Sequence, residues 1–277
     1  MDGGATVWAT AVLWLYITFL AFWGIQWWLG RHIQGLVLLI TNRTRPASTF
    51  YFYLLAPGVV LHEISHWLMA RVLFVPTRDV ALFRPQPAEP KGGPKGQKGQ
   101  AQGGPVTLGY VEIFKTDPVR QSLIGLAPLP VGILVLLLLA ALLNFNTGIN
   151  PVSPQDDSVW QSISRLPTEF AASVQKPLNF LWLYLVFTVS NGMLPSKPDR
   201  RPWLFGLILP GALILVLAVT GILPPLPQDW QQTLRQLMGN LTWIFAFAAA
   251  INLVLALVIF LLELLVSRFK RRRVVYK

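Results

Sequence analysis

The sequence contains no cysteine and few charged residues. Among its 277 residues there is no thiol to form a disulfide, to act as a nucleophile or to bind a metal ion. Only 13% of the residues are charged and 53% are hydrophobic, whereas soluble domains carry roughly 25% charged residues. Histidine is also scarce, with three in the chain. A bound metal would therefore need histidine, aspartate or glutamate, and a soluble globular fold is disfavoured.

The apolar residues gather into blocks that are about as long as a bilayer is thick. A helix that crosses a membrane needs roughly 20 consecutive, mostly apolar residues. The sequence therefore predicts an all-α polytopic membrane protein with about six transmembrane helices, placed in the cell membrane. The six blocks are 7–29, 50–75, 119–143, 177–194, 203–223 and 241–266.

The positive charge predicts how these helices are oriented. The net charge is +11, and the tail 267–277 (SRFKRRRVVYK) carries six basic residues directly after the last block. Basic clusters beside a span favour the cytoplasmic side and anionic headgroups, so the C-terminus is predicted to be cytoplasmic. Alternation over six spans then places the N-terminus in the cytoplasm as well. Segment 30–49 conflicts with this topology, because it would be external although it contains three arginines.

The stretch after the second block predicts a small cytoplasmic β-hairpin over 77–114. TRDVALF and PVTLGYVEIF, at its two ends, are rich in β-branched and aromatic residues, as strands are. Between them, residues 85–104 form a Pro/Gly/Gln/Lys tract with almost nothing to bury, which predicts a disordered loop. No folded basic surface with aromatic base readers is visible, so nucleic acid is not an expected partner.

One apolar block contains a pattern typical of metal sites. Residues 59–68 read VVLHEISHWL, and burying such polar groups is costly unless bonds compensate for it. His62, Glu63 and His66 form H-E-x-x-H, which on a helix sets both imidazoles on one face, within reach of one ion. Zinc accepts neutral imidazole nitrogens, and Glu63 is placed to act as general base and then general acid. The sequence thus predicts Zn²⁺ bound by both histidines; histidines satisfied by hydrogen bonds alone are the alternative.

A catalytic zinc site needs a third protein ligand, and Asp199 is the best candidate. Most other acidic residues are predicted to lie on the external side or in the hairpin, and Glu263 is expected to pair with a basic neighbour in the tail. Asp199 follows the proline-broken end of the fourth block, on the side towards which the histidines are displaced. The alternative is a turn aspartate that pairs with Arg200 or Arg201.

These motifs resemble those of the site-2 proteases, which are intramembrane zinc metalloproteases. HEISH stands on an early span, GLAPLPVG opens the next helix after the hairpin, and NGMLPSKPD ends the helix after that. The resemblance covers 50–199 and implies a three-helix catalytic core there, between an N-terminal segment 1–49 and two C-terminal helices in 200–266. It implies that Asp199 is the third zinc ligand and that Asn191 is an amide beside the substrate or the oxyanion. The implied activity is regulated intramembrane proteolysis of a single-pass membrane protein.

Three other functions are compatible with the sequence. The first is an inactive membrane scaffold that keeps the fold without turnover, which the intact His62, Glu63 and His66 disfavour. The second is a zinc hydrolase that acts on a lipidated substrate in a lateral groove. The third is a transporter with an intramembrane ion site, although no inverted repeat of the kind found in many transporters is visible.

Overall fold

The described residues are mostly helical and include two small β-ladders. A computed structural model describes residues 3–82, 86–87, 106–107, 109–142, 164, 167–168, 171, 177–219, 227–272 and 274. The longer helices are α1 (Gly3–Thr41), α2 (Thr44–Leu54), α3 (Ala56–Val72), α4 (Pro118–Leu126), α5 (Pro128–Leu142), α6 (Pro177–Gly192), α7 (Leu209–Val219) and α8 (Gln228–Lys270). A single π-helical turn, Leu204–Ile208, precedes α7, and the strands are β1 (Thr77–Ala81), β2 (Gln86–Pro87), β3 (Val106–Thr107) and β4 (Tyr110–Ile113).

Three helical segments among the described residues are long and apolar enough to cross a membrane. They are Thr10–Thr41 in α1, Pro118–Leu142 (α4 with α5), and Gln228–Lys270, which is α8. Large apolar side chains on their outer faces are exposed, including Trp23 and Trp27 on α1. Extensive exposed apolar surface of this kind is expected where lipid replaces water. The structure therefore supports a membrane location, with three spans where the sequence predicts six.

The other three predicted spans are shorter or interrupted. Block 50–75 is divided at Leu55 into α2 and α3, because Pro57 has no N–H to donate to the carbonyl of Tyr53 and so ends the hydrogen-bond ladder of α2. Block 177–194 forms α6, a helix of 16 residues. Block 203–223 forms the π-helical turn and the 11-residue α7, while 220–226 lie outside the described residues.

Helices α1 and α8 pack side by side and run in the same direction. Successive residues along α1 contact successive residues along α8, so the two N-terminal ends are neighbours and the two C-terminal ends are neighbours. The segment 33–41 is too short to span a membrane by itself, and its sequence is compatible with a strand, a re-entrant turn or an interfacial piece. It instead continues α1, because Ile33, Leu36 and Leu39 are buried. The contacts that fix the direction are Trp8 with Arg235, Phe22 with Phe245, His32 with Glu263, and Leu39 with Lys270.

The predicted β-hairpin is present. Strands β1 and β4 pair antiparallel, with Thr77 opposite Ile113 and Ala81 opposite Tyr110, and a bulge lies between Thr77 and Asp79. A second short ladder joins β2 to β3, so two residues of the predicted disordered tract 85–104 are in a strand. Residues 88–104 of that tract lie outside the described residues.

A close helix crossing joins the segment that carries the histidines to α6. Helices α3 and α6 meet at Gly58 and Gly192, and a Cβ added at Gly58 would lie 1.9 Å from the carbonyl oxygen of Thr188. Glycine has no Cβ, so the two backbones can approach closely at this crossing. The backbone of α6 thereby comes within hydrogen-bond reach of α3. The buried core continues from this crossing through residues of α1, α2, α5, α6 and α8, among them Phe22, Phe52, Leu136, Val186 and Phe247.

Candidate metal centre

The two histidines of the H-E-x-x-H pattern face each other on α3. They are one helical turn apart, and their Nε2 atoms are separated by 3.1 Å. His66 is buried, while the side chain of His62 keeps 14% of its surface exposed. The predicted arrangement of both imidazoles on one helix face is therefore present.

Hydrogen bonds to backbone carbonyls fix the tautomer of each ring. Nδ1 of His62 donates to the carbonyl of Gly192 at 2.7 Å, and Nδ1 of His66 donates to the carbonyl of Ile124 at 2.7 Å. A carbonyl can only accept, so both rings carry their hydrogen on Nδ1 when neutral, and each Nε2 presents a lone pair. Two lone pairs cannot bond to each other. A cation between them resolves this conflict, and carbonyl-bonded imidazoles are typical of metal ligands.

Asp199 completes the group from the segment between α6 and the π-helical turn. Its Oδ2 lies 3.5 Å from Nε2 of His62, and its Oδ1 lies 3.4 Å from Nε2 of His66. The backbone N–H of Ser196 donates to Oδ2 at 2.7 Å and holds the carboxylate in this orientation. Burial raises the pKa of Asp199, but imidazoles that are protonated at Nε2, together with the Ser196 N–H, outweigh burial and hold that pKa well below its usual range.

Helix α4 fixes the backbone of Asp199 from the other side. A Cβ added at Gly125 would lie 2.3 Å from the carbonyl oxygen of Asp199, so the two backbones touch. Helix α4 also supplies the carbonyl of Ile124 that orients His66. The same helical turn therefore positions two of the three candidate ligands. The alternative expected for Asp199 is a pair with Arg200 or Arg201. No such pair occurs among the described residues, in which the ionisable side chains close to this carboxylate are those of His62 and His66.

The spacing of the three side chains fits a tetrahedral zinc ion. Their candidate ligand atoms all lie within 4.8 Å of one another, and the closest separations are 3.1, 3.4 and 3.5 Å. Ligands at the usual 2.0–2.1 Å from zinc in a tetrahedron lie about 3.3–3.4 Å apart. Three ligands would leave the fourth position open, as in catalytic sites. His62, His66 and Asp199 could thus hold a metal ion without rearrangement of the backbone.

Glu63 lies next to the group and contacts the β-hairpin. Its side chain is buried, and its Cγ would be 2.7 Å from a Cβ added at Gly109, the residue just before β4. The same added atom would be 2.9 Å from the carbonyl oxygen of Ala81 in β1. Both strands of the hairpin therefore meet at the position of Glu63.

Asn191 is not turned towards this group. Its Nδ2 donates to the carbonyl of Phe187 at 2.8 Å and to Oδ1 of Asn252 on α8 at 2.6 Å. Both amide hydrogens are therefore used within the helix bundle. An oxyanion role for Asn191, implied by the resemblance alone, would require its amide to leave Asn252.

Several residues that build the site carry no sequence signal of their own. The carbonyls of Ile124 and Gly192 and the N–H of Ser196 are backbone groups, which any residue supplies. Glu263, for which a basic partner in the tail is predicted, contacts Nδ1 of His32 on α1 at 2.5 Å.

Comparison with known proteins finds no family model, curated protein or solved structure that matches this chain.

Proposed function

We propose that this protein is an intramembrane zinc metalloprotease of the site-2 protease type, which hydrolyses peptide bonds of a single-pass membrane protein in regulated intramembrane proteolysis. The observation that carries the proposal is the convergence of two tautomer-fixed imidazoles and the Asp199 carboxylate, with the buried Glu63 carboxylate beside them. A site with three ligands and an adjacent general base is the donor set of a zinc peptidase.

Each residue has a specific task in this mechanism. When bound, zinc supplies a Lewis acid that polarises the scissile carbonyl and acidifies water. His62, His66 and Asp199 would hold the ion. Glu63 accepts the proton of the attacking water at its carboxylate and delivers it to the amine that leaves. The surrounding apolar helices restrict access of bulk water, which strengthens the electrostatic interactions of these groups.

The hairpin has a proposed part in binding the substrate. A peptide bond inside a helix is hidden by its hydrogen bonds, so a membrane-spanning substrate must unwind locally before hydrolysis. Strand β1 or β4, which meet beside Glu63, could hold the extended segment by strand addition.

The parallel packing of α1 and α8 supports an orientation different from the one expected. If both helices cross one bilayer, the N-terminus and the C-terminus lie on opposite sides, whereas the sequence predicted both in the cytoplasm. With the basic end of α8 in the cytoplasm, Arg43 at the end of α1 is cytoplasmic too. The conflict noted for segment 30–49 then disappears. We place the N-terminus outside, with the shorter α3, α6 and α7 packed within the membrane among the three spans.

Zinc content tests the proposal directly. Protein purified in detergent should contain about one zinc per chain, and His62→Ala and Asp199→Ala should each lose most of it. His32→Ala is the matched control, since it removes the one histidine outside the group and should keep the zinc. Wild-type protein that contains no zinc and cannot be reloaded would refute the hydrolase proposal and favour the scaffold.

Cleavage of a defined substrate separates the remaining alternatives. Zinc-loaded protein in lipid vesicles should cut a single-pass transmembrane peptide within its apolar segment. Zinc without cleavage of such peptides, together with release of acyl groups from a lipidated peptide, would favour the hydrolase of lipidated substrates instead.

A further inference from the structure

The C-terminal end of the α1–α8 pair carries a groove with a basic wall and an apolar wall. A cavity of ≈ 520 Å³ is lined by Leu264, Ser267, Arg268, Arg271 and Arg272. A second cavity of ≈ 160 Å³, which also includes His32 and Glu263, shares Leu264 and Ser267 with the first. Together these cavities form one groove, which we name the basic groove. It lies away from the candidate metal centre, whose residues do not line it.

Two of the arginines in the basic groove have no acidic partner among the described residues. Lys270 caps α1, since its Nζ donates to the carbonyls of Leu39 and Ile40 at 2.9 and 2.7 Å. Arg272 contacts the side chain of Asn42 at 3.3 Å. Arg268 and Arg271 form no ion pair with a carboxylate in the part of the chain that the structure describes, and both are exposed.

One carboxylate is present among the described residues that line the basic groove. Glu263 lines the smaller cavity, but it contacts Nδ1 of His32, whose ring stacks on Trp28 with centroids 3.8 Å apart. Among the described residues that line it, the basic groove has three arginines and one glutamate, and this excess of positive charge favours an anionic ligand.

We propose that the basic groove binds the headgroup of an anionic glycerophospholipid. Guanidinium groups match phosphate geometry through paired N–H donors, and Arg268 and Arg271 both line the larger cavity. The acyl chains follow the apolar face of α8 above the groove, where Leu261, Leu264 and Leu265 are exposed. The arginines therefore lie where the phosphate would bind, and the apolar surface lies next to them where the acyl chains would run.

The surroundings favour a lipid over a free anion. The groove lies at the end of an apolar span, and Phe269 beside it is 91% exposed, which suits insertion at the interface between headgroups and acyl chains. A site for a soluble phosphate would not need the exposed leucines Leu261, Leu264 and Leu265 beside it.

Lipid retention by the full-length protein tests this proposal. The purified protein would be mixed with equal amounts of phosphatidylglycerol and phosphatidylcholine that carry the same acyl chains, and bound lipid would be counted by native mass spectrometry. Wild type should prefer phosphatidylglycerol by about 30-fold, because each of Arg268 and Arg271 near the headgroup adds a factor of about five. Equal retention of the two lipids would overturn the proposal.

Paired variants test whether the groove or the net charge is responsible. Arg268→Gln/Arg271→Gln should abolish the preference, whereas Arg78→Gln/Arg120→Gln, which removes the same charge elsewhere, should keep it. Loss in both variants, or in neither, would refute a specific site. If the groove variant does not fold, Arg271→Gln alone should still reduce the preference, and an unchanged preference would count against the site. Displacement of the lipid by excess glycerol phosphate would show an anion site that does not need the acyl chains, which would also overturn the proposal.

Discussion

The side chain of Asn191 on α6 donates a 2.6 Å hydrogen bond to Oδ1 of Asn252 on α8. Asn252 is fully buried and donates in turn to Oγ of Ser190 at 3.0 Å. From the other side, Nε2 of Gln26 on α1 donates to the backbone carbonyl of Asn191 at 2.7 Å. This chain of polar contacts ties the last turn of α6, which carries Gly192 and thereby orients His62, to the parallel pair α1 and α8.

Removing the centre of this network should destabilise the bundle. Asn252→Ala leaves an N–H of Asn191 and the hydroxyl of Ser190 without this partner, which we expect to cost about 1–3 kcal/mol. Thermal unfolding in detergent measures the effect. Asn240→Ala on the same helix is the control, since Asn240 makes no side-chain hydrogen bond to the described residues. An unfolding temperature equal to wild type for Asn252→Ala would contradict the role given to this network.

A methyl group at Gly125 should weaken metal binding. The added Cβ would meet the carbonyl oxygen of Asp199 at 2.3 Å and displace the ligand or α4. We expect zinc affinity to fall about 10- to 100-fold, as for other residues that position ligands. Competition with a chelator measures the affinity. Gly24→Ala is the matched control, because a Cβ at Gly24 has no atom within 4 Å, and it should bind zinc like wild type. Equal affinities for the two variants would show that the contact does not position Asp199.

Glu63→Gln should separate metal binding from turnover. The substitution keeps the size of the side chain and removes only the carboxylate that moves the proton. Zinc content should stay at the wild-type level, while the cleavage rate falls by about 10²- to 10⁴-fold. The two measurements are made on one preparation. Retained cleavage would exclude Glu63 as the general base, and loss of zinc would make it a structural residue of the site.

The β-hairpin should be needed for cleavage but not for metal binding. Replacing residues 77–114 by a short Gly/Ser linker removes both strands that meet beside Glu63 and leaves all three candidate ligands in place. Zinc content should be retained, whereas cleavage of a transmembrane peptide should be lost. A cleavage rate like that of wild type would rule out strand addition as the mode of substrate binding.

The orientation of the termini can be tested in the natural cysteine-free background. Gly3→Cys and Lys277→Cys each introduce the sole thiol of the chain. In intact cells a membrane-impermeant maleimide should label the N-terminal cysteine, while the C-terminal one should react only after the membrane is opened. Labelling that is equal for both positions would contradict the parallel, membrane-crossing arrangement of α1 and α8.

The sequence predicts the chemistry of the site better than the path of the chain. H-E-x-x-H needs only helical periodicity to bring His62 and His66 together, and Asp199 was reached by excluding other acids. The β-hairpin was predictable because its strands are short and its segments are rich in β-branched and aromatic residues. The first predicted span ended at residue 29, whereas α1 continues to Thr41. Burial of Ile33, Leu36 and Leu39 against neighbouring helices is a tertiary effect, and the arginines around this segment made it look too polar for a span.

Pairings between distant segments were not predictable. The contact of Glu263 with His32 joins residues 231 positions apart, and local sequence around either residue does not indicate the other. The same holds for Asn191 and Asn252. The predicted span 50–75 failed for a local reason, since hydrophobicity alone does not reveal that Pro57 ends one helix and begins another.

The partnership of the first and the last long helix also constrains how the protein is made. At roughly 5–20 residues per second, a ribosome needs on the order of 10–50 s to travel from His32 to Glu263, which are 231 residues apart. During that interval His32 on α1 does not yet have the carboxylate of Glu263 beside it. The α1–α8 pair therefore forms only after α8 has been made, and a chain truncated before residue 228 would leave His32 of α1 and Asn191 of α6 without their partners on α8.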